Sequence, residues 1–334
     1  GDMAKRRTLA TLRSVYGFDL PEDLHAVWGL AREISPSGPL SAFEATLGIV
    51  LVGPFDVLAG KFSGKRLPLP PILHWRFRHD PPELLTVWTR GDRGGHTGFW
   101  MDEGPERISL IASIYTNDDG IDAVSLLECL RIEIERAENA LSLGIPLVEG
   151  SAASSDQLAR LRDRLGARRG PSESSIGGAV LHPRTALRQQ REQSVVAQTR
   201  DGLGVVAPVN LYCSLEVEDE ALWDALSRRD EILTASWISE AQHALSGGFP
   251  GTALKLGRDL WRYSGGESLD PMTREAASLL VGAYEALDRP FLATIAKTHS
   301  EYRWLESVNV LDYSPARVAR ERASANRRVA SDRE

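Results

Sequence analysis

Apolar residues fall into short alternating runs in the first part of the chain and into helically spaced stripes in the last part. Up to Tyr16 only Leu9, Leu12 and Val15 are large and apolar, which fits a short helix or a frayed arm. In DLPEDLHAVWGLAREI, Leu24, Val27, Trp28 and Ala31 recur at helical spacing, with Asp19 placed to cap and Pro21 suited to the first turn. Ile49 to Val52 reads as a buried strand ended by Gly53-Pro54. Within LHWRFRHDPPELLTVW, Leu73, Trp75 and Phe77 alternate with His74, Arg76 and Arg78, the period of a strand with one wet face. Asp80-Pro81-Pro82 breaks that run, and Leu84 to Trp88 predicts a second, buried strand. His96 to Met101 and Arg107 to Ile114 predict two more. A long helix follows, capped by Asn117 or Asp118, turning Ile121, Val124, Leu127, Leu130, Ile134 and Leu141 toward the sheet.

The second part starts after two Ser/Gly/Pro-rich stretches, VEGSAASSD and RRGPSESSIGG, which flank a short Arg-rich helix. Gly204 to Val209 predicts one strand, and beyond Asp219 the pattern is helical. GTALKLGRDLWRYSG puts Leu254, Gly257, Leu260 and Trp261 on one stripe. Asp270-Pro271 and Pro290 mark two further helix starts. The fold class is therefore α+β: an N-terminal sheet with flanking helices, then a mainly α-helical domain. The expected layout is an α+β domain over 1–145, a linker with a short helix over 146–176, a mainly helical domain over 177–310, and a flexible tail over 311–334 that lacks an apolar face.

Composition narrows the setting. With 42% hydrophobic and 25% charged residues in 334, the chain is ordinary globular material. No run approaches the roughly 18 apolar residues of a membrane span, and GDMAKRRTLATLRS has no apolar signal core, so no membrane partner is expected. Two cysteines, Cys129 and Cys213, build no disulfide framework, which favours a reducing compartment. A net charge of −7 argues against broad nucleic-acid binding. The basic residues are overwhelmingly arginine, a skew that suits a GC-rich, bacterial genome, and a bacterial origin would make the setting cytoplasmic.

Isolated motifs carry little chemistry. GKFSGKR at Gly60 to Arg66 has the wrong spacing for a phosphate loop, and Arg66 stands where a Ser or Thr should hold the metal. His74, His79 and His96 lack any HxH or HxxxH spacing, so no metal site is expected and they read as surface or rim histidines. Gly-x-Ser-x-Gly is missing. The acidic run Glu216 to Asp224 is accounted for by helix capping and dipole complementarity.

The blocks YGFDLPEDLHAVW, LVGPFDVLAGKF, LHWRFRHDPPELLTVW, HTGFWMDEGPE, GLGVVAPVN and GTALKLGRDLWRYSG, taken in order, resemble the histone PARylation factor family, the accessory factors of nuclear poly(ADP-ribose) polymerases. The resemblance runs from about Tyr16 to Tyr302, and these blocks include no counterpart of the animal members' zinc finger. It implies a joint active site: the factor docks on a polymerase and lends a glutamate that takes the proton of an acceptor serine as the serine attacks the ADP-ribose of NAD. A serine hydroxyl needs such a base. NAD is then reached only through the partner transferase, and no cofactor is bound by the factor alone.

Carried onto this chain, the glutamate column falls on Gln242, or on Gly247 if no gap is allowed before LKLG. Neither side chain is a base. Glu240 is the nearby substitute, although two residues along a helix is about 200° around its axis. The family's docking arginine falls on Cys213, beside Tyr212. Under one reading the protein binds an ADP-ribosyltransferase or an ADP-ribosylated protein through Tyr212, Cys213, Trp237 and His243, with catalysis lost, altered or moved to Glu240. Under a second it is a non-catalytic interaction or immunity-type module on the same scaffold, unrelated to ADP-ribose. An enzyme acting alone comes third, because no self-sufficient constellation is present.

Overall fold

The computed structural model describes residues 2–91, 94–108, 110–114, 120–145, 153–166, 175–176, 179–180, 183–265 and 270–331. The chain divides into two compact units, one made of Gly1–Lys65, Leu85–Met101 and Ile108–Gln189, the other of Arg66–Leu84, Asp102–Arg107 and Gln190–Glu334.

The first unit opens with helices α1 (Asp2–Tyr16), α2 (Asp23–Ile34) and α3 (Glu44–Leu47), strand β1 (Ile49–Leu51) and the short α4 (Pro54–Leu58). Its centre is an antiparallel meander in which β1 pairs with β2 (Leu84–Arg90), followed in order by β3 (Gly95–Trp100), β4 (Leu110–Ile114) and β5 (Gly120–Ala123). Every described position of β3 and β4 is buried, so both faces of these strands are covered. Gly98 makes this possible: a Cβ there would sit 2.2 Å from the Leu85 carbonyl oxygen, so only glycine lets the neighbouring backbone approach. Helix α5 (Leu126–Ser142) buries Leu126, Leu127, Leu130 and Ile134, and α6 (Ser155–Gly166) packs beside it. The Arg90 guanidinium and the buried Glu133 carboxylate form an ion pair, and Asp23 accepts from the Leu126 amide.

Two sequence expectations change here. The long helix starts at Ser125, whose Oγ accepts from Glu128 N at 3.2 Å, while the Glu128 carboxylate accepts from Val124 N, one residue before the cap, at 2.9 Å. Asn117 and Asp118, the expected caps, lie outside the described residues. Ile121 and Ala123 are spent on a strand because they pair with Ala112 and Ile111 of β4, an edge that would otherwise keep unpaired amides.

The second change concerns Leu73 to Phe77, which form no strand. Pro71–Leu73 make a 3₁₀ turn, and Trp75 has φ +57°, a left-handed backbone incompatible with a ladder. Phe77 N donates to Asp80 Oδ2 at 2.9 Å and the Arg76 guanidinium to Pro81 O at 3.1 Å, so side chains rather than a neighbouring strand fix the segment. His74 and Arg76, assigned to the wet face, are 2% and 6% exposed. His96 is also buried, whereas His79 is exposed.

After the pairs β6 (Ser175–Ile176) and β7 (Ala179–Val180), helix α7 (Pro183–Ser194) leads to the two-stranded β8 (Val195–Ala197) and β9 (Val205–Val206). The strand expected to reach Val209 stops early because Pro208 starts a 3₁₀ turn over Val209–Leu211. Then come α8 (Asp219–Ser227), α9 (Glu231–Ser246), α10 (Pro250–Tyr263), α11 (Pro271–Ala286) and α12 (Pro290–Tyr302). Helix α10 is the axis of the bundle, buried from Pro250 to Trp261, with α9 and α11 packed against it. Asp270 caps α11 by accepting from Met272 N at 3.0 Å.

The segment expected as a tail carries α13 (Pro315–Ser331). Its Glu321 accepts from Glu306 N at 3.1 Å, Tyr313 Oη at 2.9 Å and Arg317 Nε at 2.7 Å. The linker stretches at 146–152 and 167–174 lie outside the described residues.

Candidate functional site

Helix α9 presents the residues on which the family resemblance turns. Asp230 fixes its start by accepting from Leu233 N at 3.0 Å. Trp237, Ala241 and Ala244, at helical spacing, are its buried face. Gln242 and His243 therefore point to solvent and are exposed. Glu240 is half-buried, and its Oε1 accepts from Glu216 N at 2.9 Å, so it holds the loop that precedes α8. Gly247 is the C-cap of the same helix and carries no side chain.

That loop runs from Val209–Leu211 to Asp219 and is clamped to α10. Cys213 N donates to Thr252 Oγ1 at 3.1 Å, and the Thr252 hydroxyl donates to Cys213 O at 2.6 Å. The Cys213 residue is exposed, with Sγ 3.4 Å from the same hydroxyl. Tyr212 is half-buried; its phenol is pushed up by burial and then by the Asp219 charge. Gly251 lies so close that a Cβ would be 2.9 Å from Leu211 O.

Under the loop is a cavity of about 400 Å³ lined by Tyr212, Ser214, Leu215, Glu216, Val217, Glu218, Asp219, Leu222 and Lys255. Of the expected partner-binding residues only Tyr212 lines it. Lys255 forms its buried end, with Nζ 2.8 Å from Asp219 and 2.5 Å from Asp259, and 5.1 Å from the Trp223 ring centroid. Asp259 also accepts from Arg200 N at 2.8 Å and Trp223 Nε1 at 2.9 Å. Burial pushes the Asp259 carboxyl up, and Lys255 and these donors partly offset the push.

One turn further along α10, Arg258 is buried between Glu83 at 3.1 Å and Asp201 at 2.5 Å, and Tyr284 Oη donates to Glu83 at 2.8 Å. Burial alone would raise Asp201, but Arg258 and the Thr199 hydroxyl hold it below the usual carboxylate range. Sequence reasoning missed both clusters. Their signal was Lys255, Arg258 and Asp259 inside an otherwise apolar run, where a charge needs a buried partner.

A sequence profile of the family described as Histone PARylation factor 1 matches residues 7–303. The chain belongs to the histone PARylation factor 1 family. The mouse protein named Histone PARylation factor 1 is 28% identical over 329 residues, covering 90% of this chain and 88% of its own length. The bovine protein of that name is 27% identical, covering 93% of this chain and 90% of its own. The zebrafish one is 26% identical, with 89% and 86% covered. The match reaches residues of both units, and within the second unit of this family member it takes in α9, the clamped loop and α10. Among the described residues no group of three or more His, Cys, Asp or Glu is placed to hold a metal, and no helix is long and apolar enough to cross a membrane.

Proposed function

We propose that this protein is an accessory factor that docks on an ADP-ribosyltransferase of the poly(ADP-ribose) polymerase type without supplying the base that activates an acceptor serine. Membership of the histone PARylation factor 1 family supports the docking half of the reading. Exposed apolar side chains support it too: Val209 and Ile232 are 80% and 84% exposed, and Leu233 and Phe249 are also exposed, all in the second unit near the ends of the clamped loop and α9. A binding surface accounts for such residues where a free monomer gains nothing from them.

The observation that carries the second half is the exposed amide of Gln242 on α9, in the column where the resemblance places a glutamate. An amide oxygen accepts a hydrogen bond but does not take a proton from a serine hydroxyl near neutral pH. Glu240 is the nearest carboxylate along the helix, and its bond to the Glu216 amide gives it a structural task in the loop. In this reading NAD is held by the transferase alone, and an ADP-ribosylated protein serves as an alternative docking partner.

The test is reconstitution with a transferase catalytic domain, NAD and a serine-containing acceptor. The complex is expected to form in calorimetry, with no transfer of modification to serine by mass spectrometry. Efficient serine modification by the wild-type protein would sink the non-catalytic half, and its loss in Glu240→Gln would place the base at Glu240. Failure to bind any such transferase or modified protein would sink the docking half.

A further inference from the structure

The segment after the Pro71–Leu73 turn gathers positive charge in the second unit. Arg303, which follows α12, is 2% exposed and lies 4.0 Å from the Trp261 ring centroid. Its Nε donates to Arg78 O at 2.9 Å, one terminal nitrogen to the Ser264 and Thr273 hydroxyls, and the other to Trp261 O at 3.1 Å and toward His79 Nδ1 at 3.4 Å. All five N–H groups of the guanidinium are thus spent, and each acceptor is neutral. Among the described residues no carboxylate pairs with Arg303; Asp270 acts only at a distance and is bonded to Arg229 at 3.0 Å. Burial and then Arg78 pull Arg303 down to about 9, the mark of a cation without a counter-ion.

This buried charge shapes its exposed neighbours. Because Nδ1 of His79 faces an Arg303 N–H, the proton of the neutral ring sits on Nε2. Desolvation of the ring, then Arg303, Arg262 and Arg78, lower His79 to about 4 against the opposing pull of the adjacent Asp80 carboxylate, so the ring is neutral at physiological pH. Arg78 is exposed and spends only Nε, on Arg303 O at 3.2 Å; its terminal nitrogens have no partner among the described residues. Two adjacent residues therefore offer an open guanidinium fork and an imidazole N–H, with the Arg303 charge buried among neutral acceptors behind them.

We propose that Arg78 and His79 form a binding site for a phosphate-type oxyanion, with Arg262 and Arg303 supplying the positive potential that draws it in. A planar fork matches phosphate geometry, and charge-assisted bonds are the strong ones. The anion supplies a counter-charge to Arg303, which pairs with no carboxylate among the described residues, against a net charge of −7 for the whole chain.

The test is NMR of the His79 imidazole in the full-length protein, titrated with inorganic phosphate, pyrophosphate and AMP at constant ionic strength against chloride. Saturable shifts and a His79 midpoint raised by about one pH unit or more are expected, since a bound anion favours the imidazolium. Tighter binding of AMP than of inorganic phosphate assigns a nucleotide as the source, and equal binding a free phosphate. Arg78→Gln is expected to weaken binding at least ~10-fold and Arg78→Lys less, because lysine keeps the charge but loses the fork. Shifts that rise linearly and match those in chloride overturn the proposal, as does unchanged binding in a folded Arg78→Gln protein. If Arg78→Gln does not fold, binding in Arg78→Lys as tight as in the wild type overturns it.

Discussion

Glu83 and Arg258 meet at 3.1 Å with both side chains almost wholly buried, although 175 residues separate them in the chain. The pair joins the DPPE segment to the axial helix α10, and Tyr284 and Asp201 complete it. Removing one partner strands the other charge in the interior. Glu83→Ala is expected to cost about 3–5 kcal/mol in urea unfolding, while Tyr284→Phe, which removes one donor to the carboxylate and leaves the ion pair in place, costs less, about 1.5–3 kcal/mol. Equal, small losses in the two variants would contradict the pair's role.

Gly98 sets the spacing inside the sheet. A methyl group at this position would lie 2.2 Å from Leu85 O and 2.9 Å from Thr86 Cα, both backbone atoms that have no rotamer to change. Gly98→Ala is expected to lower stability by more than the roughly 1–3 kcal/mol of ordinary overpacking. A thermal midpoint equal to that of the wild type would count against this strand spacing.

Acid is expected to destabilise the second unit. His299 is buried with its ring edge toward Trp261 at 5.2 Å, and burial, then Arg76, Arg303 and His79, hold its pKa well below the usual value. The unfolded chain takes a proton on this residue near pH 6.5 that the folded protein refuses. Stability is therefore fully present above that pH and is lost as pH falls below it, with a slope approaching ~1.4 kcal/mol per pH unit for the buried ring. The exposed His79 adds a smaller, solvent-screened share that ends near its folded value of about 4. Urea midpoints at pH 7 and pH 5 check the sign: wild type loses stability between them, and His299→Phe loses less.

Gln242→Glu is the direct probe of the functional reading. The position is exposed on α9, so the change leaves stability within about 0.5 kcal/mol. In the reconstituted transferase assay the variant is expected to gain serine modification that the wild type lacks, because a carboxylate there accepts the proton. No gain in a variant that still forms the complex would remove Gln242 from the base position.

Parts of the fold were legible because a few neighbouring residues decide them. Proline at the first position of α11 and α12 announces each start, and Asp270 caps the first of these from two residues away. The strand β4 and the first five residues of β2 appear as short, largely apolar runs because they are buried throughout. Leu73 to Phe77 misled for the converse reason. An alternation of apolar and polar residues signals a strand only if the polar set meets water, and here His74 and Arg76 are packed inside.

For the candidate site the division is similar. Sequence placed Gln242, Glu240, Tyr212, Cys213, His243 and Trp237 along the chain, but not their directions. The structure puts Trp237 inward, Gln242 and His243 outward, and Glu240 onto the Glu216 amide.

The sequence by itself determined the starts of α11 and α12, the runs of β2 and β4, the α+β class and the family. Only the tertiary structure decided which charges are buried and with whom: Arg258 with Glu83 and Asp201, Lys255 with Asp259, Arg303 with neutral acceptors alone. Local pattern reports what a segment prefers in water. The partner of a buried charge is set by chain folding that brings distant residues together, and its energy depends on the solvent that folding excludes.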